Sequence, residues 1–455
     1  MHATQETIRT GVATRRLAGL VAAALLLPAA SWAAIDGVEN LGPTPTFSLT
    51  AKDGYISTPD GGSVYTWGYA DGSSAMQLPG PTLIVQQGAA VVVTLTNELP
   101  AAAGNVSIVF PGHAVTVTGG VGGLLTGEAS PGGSVTYSFV AANPGTFLYH
   151  SGTRPDLQVE MGLVGALIVR PTGAVACPGG ATPAYNNDHT CYDREILFLQ
   201  TEIDLEIHRA VEDQIGGVSI DVWTSPYEPE YWMLNGRAAP DTMAEAGTSR
   251  LPHQPYNCMP QMHPGERLLL RVVAAGHEPH PYHHHGNHAR ILARDGRLLA
   301  NGGGQLLGPS VFTITTAPGG TTDAIFEWTG KGLGWDIYGV PHTEAPLVGG
   351  ALKDGCDNLS GYDSQTGEWC PDHGNPFPVD LPALSDLTFG GFWGGSPFLG
   401  VPGSLPPGEG GLNPTAGFSY MWHSHAEREM INNDIFPGGM MTMLVIHPPG
   451  VDFVE

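Results

Sequence analysis

An all-β chain built from two Greek-key β-sandwiches is the architecture this sequence predicts, and three observations carry it. Short runs rich in Val, Ile, Thr and Phe recur along the chain, each bounded by turn residues. The 455 residues include 64 glycines and 39 prolines, and these sit between the apolar runs as punctuation. The order of strands and turns in the first half returns in the second, as expected of a duplicated β domain.

The first half carries its strands in "GPTLIVQQG" (80–88), "AAVVVTLTNELP" (89–100), "SVTYSFVAANPGTFLYH" (134–150) and "GLVGALIVRP" (162–171). The second half answers with "EILFLQTEI" (195–203), "YWMLNGR" (231–237), "ERLLLRVVAAG" (266–276), "VFTITTAPGGTTDAIFEW" (311–328) and "GGMMTMLVIHPPG" (438–450). A Pro-Gly turn precedes a strand in both halves, at Pro131-Gly132 and Pro318-Gly319. A strand ending in histidine is followed by a Gly-led return strand in both, at His150 with Gly162 and at His423 with Gly439. The expected division is one sandwich over 35–175, a linker over 176–192 and a second sandwich over 193–455. Residues 340–416 are Gly/Pro-rich with little periodicity and read as a long insertion in the second sandwich.

Composition excludes some functions. The formal net charge is −25, so nothing in the bulk composition would neutralise nucleic-acid phosphates, and cations are the partners favoured. Residues 1–34 read as a signal peptide. Arg15 and Arg16 precede the apolar run 17–28, and small residues follow up to a cleavage point near Ala33 or Ala34. The paired arginines fit a twin-arginine or a general secretory signal. After its removal no run is long enough to span a bilayer as a helix. The expected location is periplasmic or secreted. In such an oxidising compartment cysteines pair, and Cys177 with Cys191 and Cys356 with Cys370 each close a short loop. Cys258 remains as a buried thiol or a ligand.

Chemistry concentrates in the histidines. Six of the 18 fall in "HEPHPYHHHGNH", residues 277–288. On a strand, alternation sends His283 and His285 to one face and His284 to the other, with His280 just upstream. Imidazole is the commonest transition-metal ligand. A surface polyhistidine patch is the bland alternative, and the flanking apolar strands argue against it. The second cluster, "YMWHSHAEREM" (420–430), spaces His423, His425, Glu427 and Glu429 by two. If the strand continues, all four share a face and call for a cation between them. If it ends at His425, the glutamates are solvated.

These strings resemble the multicopper oxidase family, its two-domain laccases and the related copper nitrite reductases. The likeness lies in "LPGPTLIVQQGAAVVVTLTNEL" (78–99), "PGTFLYHSG" (144–152), "MGLVGALIVRP" (161–171), "MLNGR" (233–237), "HPYHHHG" (280–286) and "WHSH" (422–425). The resemblance implies two cupredoxin-like domains, copper ions and oxidoreductase chemistry. By position it makes His283 a type 2 copper ligand, His285, His423, His425 and His150 type 3 ligands, and His280 a type 1 histidine. Departures accompany it. Ser424 stands where the family has its type 1 cysteine, and Glu429 where it has a second type 1 histidine. Val109 and Pro111 occupy two further ligand positions, and the motif at His150 has lost its second histidine to Gly152.

The resulting expectation is an exported, copper-dependent oxidoreductase with one or two copper ions and no type 1 copper. Its metal ligands are drawn from His150, His280, His283, His285, His423, His425 and Glu429. Its partners are the metal, a small-molecule or metal-ion substrate and dioxygen, and the resemblance to two-domain relatives implies a homotrimer. Two rivals stay open. The protein sequesters copper without catalysis, as the missing thiolate would allow, or the site takes zinc, manganese or iron, as the neighbouring carboxylates would favour. A purely structural scaffold accounts poorly for the histidines.

Overall fold

The structure is a computed structural model. It describes residues 35–263, 265–328, 418–447 and 453, with the backbone of three short strands at 362–363, 368–369 and 395–397. The expected signal peptide, the expected Cys356–Cys370 pairing and nearly all of the expected 340–416 insertion lie outside the described residues.

The chain is all-β, and its main sheets fall into two pairs. In the first half, Val38–Asn40, Leu83–Gln86, Val164–Arg170 and Gly145–His150 form a four-stranded sheet in that order. It faces a five-stranded sheet ordered Ser63–Asp71, Thr46–Ser57, Ala90–Asn97, Ser134–Val140, Thr116–Gly119. Ala90–Asn97 alternates buried and half-buried side chains, as a strand with one face on the core must. Trp67, Tyr69, Tyr137 and Tyr149 fill the space between the sheets, all fully buried.

The second half repeats the plan. One sheet runs Tyr231–Leu234, Arg194–Ile203, Arg267–Ala274, Thr321–Glu327, Ala289–Arg294, Arg297–Leu298. The other runs Gln261–Met262, Met441–Ile446, Phe418–Ser424, His280–His284, Thr313–Thr316. The repeated turns are visible as backbone. Gly132 and Gly319 adopt φ +72° and +79°, a conformation open to glycine at little cost. The histidine strands pair antiparallel with their return strands in the same way, His150 opposite Val164 and His423 opposite Met441.

One element departs from the strand-only expectation. Leu205–Gln214 is an α-helix, started by Asp204, whose carboxylate accepts from the N–H groups of Glu206 and Ile207. Its Ile207 and Val211 bury into the first sandwich's core although the helix follows a strand of the second. The signal, an Asp followed by Leu205, Ile207, His208 and Val211 at helical spacing, stands in the sequence but falls between two strands.

The two halves share one compact unit. Leu148, Val164 and Ala166 pack against Leu197, Leu199, Met233 and Val273 across the seam. Beside this apolar patch lies a buried charge network. Glu195 pairs with Arg170 of the first half and with Arg271 at 2.8 Å. Arg271 also donates to Thr146 at 2.9 Å, and Thr146 donates to Asp323 at 2.6 Å. The Cys177–Cys191 disulfide closes the connecting segment with its Cα atoms 5.7 Å apart.

Burial disfavours the charged form of Glu195, but the guanidiniums of Arg271 and Arg170 outweigh it and pull the carboxyl down to about 2. A carboxyl depressed in the folded state stabilises the fold fully above its unfolded pKa, roughly 4.3. That contribution is lost as pH falls toward 2. Glu195→Gln is expected to cost about 3–5 kcal/mol near neutral pH, because it strands buried guanidinium charge. Urea unfolding at pH 7 and pH 3 checks this, and the gap between wild type and variant should narrow at pH 3.

Candidate metal centre

Two neighbouring strands build the centre. His280–His284 runs antiparallel to Phe418–Ser424, with His283 directly opposite His423 and Tyr282 opposite Ser424. Alternation then sends His283 and His285 to the same face as His423, while Tyr282 and His284 turn into the sandwich. Three histidines meet. One nitrogen from each of His283, His285 and His423 lies within 4.8 Å of the others, and all three residues are buried. His423 Nε2 is 3.4 Å from His285 Nε2.

The polar contacts leave ring lone pairs for a metal. His283 Nδ1 contacts the Thr313 hydroxyl at 3.0 Å, on the strand paired to its other side. His423 Nδ1 donates to the Ser424 carbonyl at 2.7 Å, which makes Nε2 the acceptor nitrogen. Trp422 anchors the backbone of His285 by donating to its carbonyl at 3.0 Å. Burial pushes both His283 and His423 down to about 4, with repulsion between the clustered imidazoles adding to it. Both rings are therefore neutral at pH 7, as metal ligands must be. Nitrogens bound at about 2 Å to one ion sit roughly 3 Å apart, so the 3.4 Å pair needs little movement to close on an ion. The donor set fits copper, for which imidazole is a suitable ligand.

The remaining candidates distribute unevenly. His425 stands at the rim, its ring centroid 4.8 Å from that of His283, half exposed and 3.3 Å from the Glu427 carboxylate. His284 is buried against Phe326 and Trp422, and burial pushes it down to about 3, as a neutral core histidine. The strand ends at Ser424, and Glu427–Met430 is a 3₁₀ turn. Of the two alternatives, the one in which the strand ends near His425 holds, and the continuous face from His423 to Glu429 does not. Glu427 is solvated, whereas Glu429 is buried and faces His280. His280 is held 2.5 Å from Glu202 and 2.9 Å from Glu429, as short ion pairs rather than aligned hydrogen bonds. Burial lowers its pKa, but the two carboxylates win and raise it to about 9.

His150 does not join the triad within the chain. It is half-buried, bonds its own backbone neighbour through Nδ1, and faces Val109 across a bridge. Val109 thus lies opposite His150, where the resemblance would place a ligand. Ser424 is buried and accepts from the Ala426 N–H. Cys258 is buried elsewhere in the second core and donates to the Leu234 carbonyl.

Sequence reasoning missed Thr313, Phe312 and Glu202. Phe312, half exposed, edges the His283 ring at a centroid distance of 5.7 Å. Thr313 becomes a partner only once strand register is known. Glu202 left a readable trace, a carboxylate next to Ile203 on the strand that carries the apolar run Ile196–Leu199.

Known proteins share part of the sequence and the fold. Residues 56–174 match the multicopper oxidase family, and of the candidate ligands only His150 falls in that stretch. An L-ascorbate oxidase from Cucurbita pepo var. melopepo is 32% identical over 166 residues, 35% of this chain and 26% of that protein. A copper-containing nitrite reductase from Pseudomonas chlororaphis is 29% identical over 182 residues, 38% of this chain and 47% of that protein. The matched stretches thus span about a quarter to a half of these curated relatives. Among solved structures, a blue copper oxidase from Nitrosomonas europaea superposes with TM-score 0.50 at 17% identity, over 88% of this chain and 85% of that one. The multicopper oxidase mgLAC gives 0.51 at 17% identity, over 90% and 88%. These two structures share the fold across nearly the whole chain.

Burial pushes the Cys258 thiol up to about 12, so it is expected to be inert in the native protein. Iodoacetamide followed by peptide mass mapping should label Cys258 only after denaturation. Labelling of the folded protein would mean that the thiol is exposed.

Proposed function

We propose that this chain is a cupredoxin-type relative of the multicopper oxidases, an exported copper-dependent oxidoreductase with a remodelled histidine site and no type 1 copper. One observation carries the reading, the convergence of His283, His285 and His423 with His425 at the rim. Copper at this site, one ion or two, would supply one-electron redox chemistry, with dioxygen as the oxidant.

The chain's own residues set the conditions. The Ser424 carbonyl fixes the His423 tautomer, and the Thr313 hydroxyl orients the His283 ring. Phe312 supplies an apolar wall, and the half-exposed His425 leaves one edge open. Ser424 offers a hydroxyl in place of a thiolate, so a second, sulfur-bound copper has no soft ligand here. The reductant is therefore placed at the histidine site itself. The segment 1–34 supports export to the periplasm or beyond the cell. Division into sandwiches over 35–175 and 193–455 follows the paired sheets. His150 would enter the site from a neighbouring subunit, and a homotrimer is the proposed assembly.

Two other readings have an observation each. Ser424 in place of a thiolate favours copper sequestration without turnover. Glu427, 3.3 Å from His425, favours a harder ion such as zinc, manganese or iron.

Metal analysis of the exported protein tests the reading. Wild type should carry copper. His285→Ala, His423→Ala and His425→Ala should each lose most of it. His284→Leu and His288→Ala should keep it, since the first ring faces the core and the second lies outside the triad. Equal loss from all five would indicate a loose polyhistidine patch. Copper retained without reductant-dependent oxygen uptake would select sequestration, and another metal in its place would select the harder-ion reading.

A further inference from the structure

The most deeply buried charges near the centre belong to a separate trio. His280 is fully buried, its Nε2 2.5 Å from Glu202 Oε1 and its Nδ1 2.9 Å from Glu429 Oε2. Glu202 lies on the strand Arg194–Ile203 of the opposite sheet and accepts from the N–H groups of His277 and Glu278 at 2.9 and 3.0 Å. The chain is shaped around it, because a Cβ at Gly276 would stand 1.7 Å from Glu202 Oε2. Glu429 sits on the 3₁₀ turn that follows His425.

The geometry says what this trio is for. Both ring nitrogens of His280 face carboxylates, and a neutral imidazole has a donor for only one of them. The arrangement is complete with an imidazolium. The carboxylates approach opposite edges of the ring, so one ion cannot be ligated by His280 and both of them. His280 lies on the strand that carries His283, and Glu429 on the turn leaving the strand that carries His423.

We propose that Glu202, His280 and Glu429 form a clamp that fixes the two histidine-bearing segments against the opposite sheet, with Glu202 a positioning residue for the metal site. The proposal rests on the copper-site reading above. A buried ion pair is screened far less than an exposed one, and two of them grip one ring from both edges. The trio thus holds, by charge, two segments that a shared metal would otherwise have to draw together.

Copper(II) affinity of the full mature chain, measured by competition with a chelator, tests the clamp alongside the copper paramagnetic resonance spectrum. Glu202→Gln removes no ligand of the triad. It is expected to weaken copper(II) binding about tenfold or more and to alter the spectrum. Glu429→Gln should do the same, and serves if Glu202→Gln fails to fold. In a His280→Gln background, Glu202→Gln should add less than a twofold effect, since the ring it grips is gone. A residue that only supports the fold would lower the melting temperature of the metal-free protein and leave affinity and spectrum unchanged. That result, or effects that multiply in the double variant, would overturn the clamp. His285→Ala separates the two claims. If it keeps wild-type copper affinity, the copper-site reading fails. If it loses copper while both glutamine variants bind like wild type, the clamp alone fails.

Discussion

The proposed metal centre depends on one strand register, His283 opposite His423. Side chains on a strand alternate with period two, so a slip of one residue in the His280–His284 strand would turn His283 and His285 away from His423. His284 shows where they would go. It is buried between Phe326 and Trp422 and carries no role at the metal face. The register is fixed from both sides. Tyr282 and Trp422 bury in the core on the inner face, and Thr313 pairs with His283 on the next strand. The same interdigitation that fills the sandwich aims the histidines outward.

Rigidity around this register comes from charges placed in apolar surroundings. Arg170 and Thr146 of the first half, bound to Glu195, Arg271 and Asp323 of the second, hold the two halves at a fixed seam. The Glu202–His280–Glu429 trio does the same at the edge of the centre. Each is costly to desolvate and each sets opposite charges against one another, so each tolerates few alternatives. In both, the partners come from segments far apart in sequence, which makes them long-range constraints rather than local caps.

Much of the fold was legible in the sequence, because it is written in short-range patterns. Gly132 and Gly319 marked equivalent turns, and the histidine strands with their return strands marked the duplication. Alternation alone separated His283 and His285 from His284. What the sequence hid were the facts that need register or sheet-to-sheet contact. Thr313 meets His283 only through strand pairing, and Glu202 meets His280 only across the sandwich. Glu429 reaches His280 because alternation stops at Ser424, where a 3₁₀ turn breaks it, and neither a continued strand nor a solvated end foretells that contact. The helix Leu205–Gln214 was passed over because its apolar residues dock on the other half.

The central claim is that one face of two paired strands makes a copper site while the thiolate position beside it is silent. Anomalous diffraction at the copper edge, from crystals of copper-loaded protein, tests it most directly. The account predicts a peak enclosed by His283, His285 and His423, and none between His280, Ser424 and Glu429. A peak at the second position, or copper bound only at surface histidines such as His288, would contradict it.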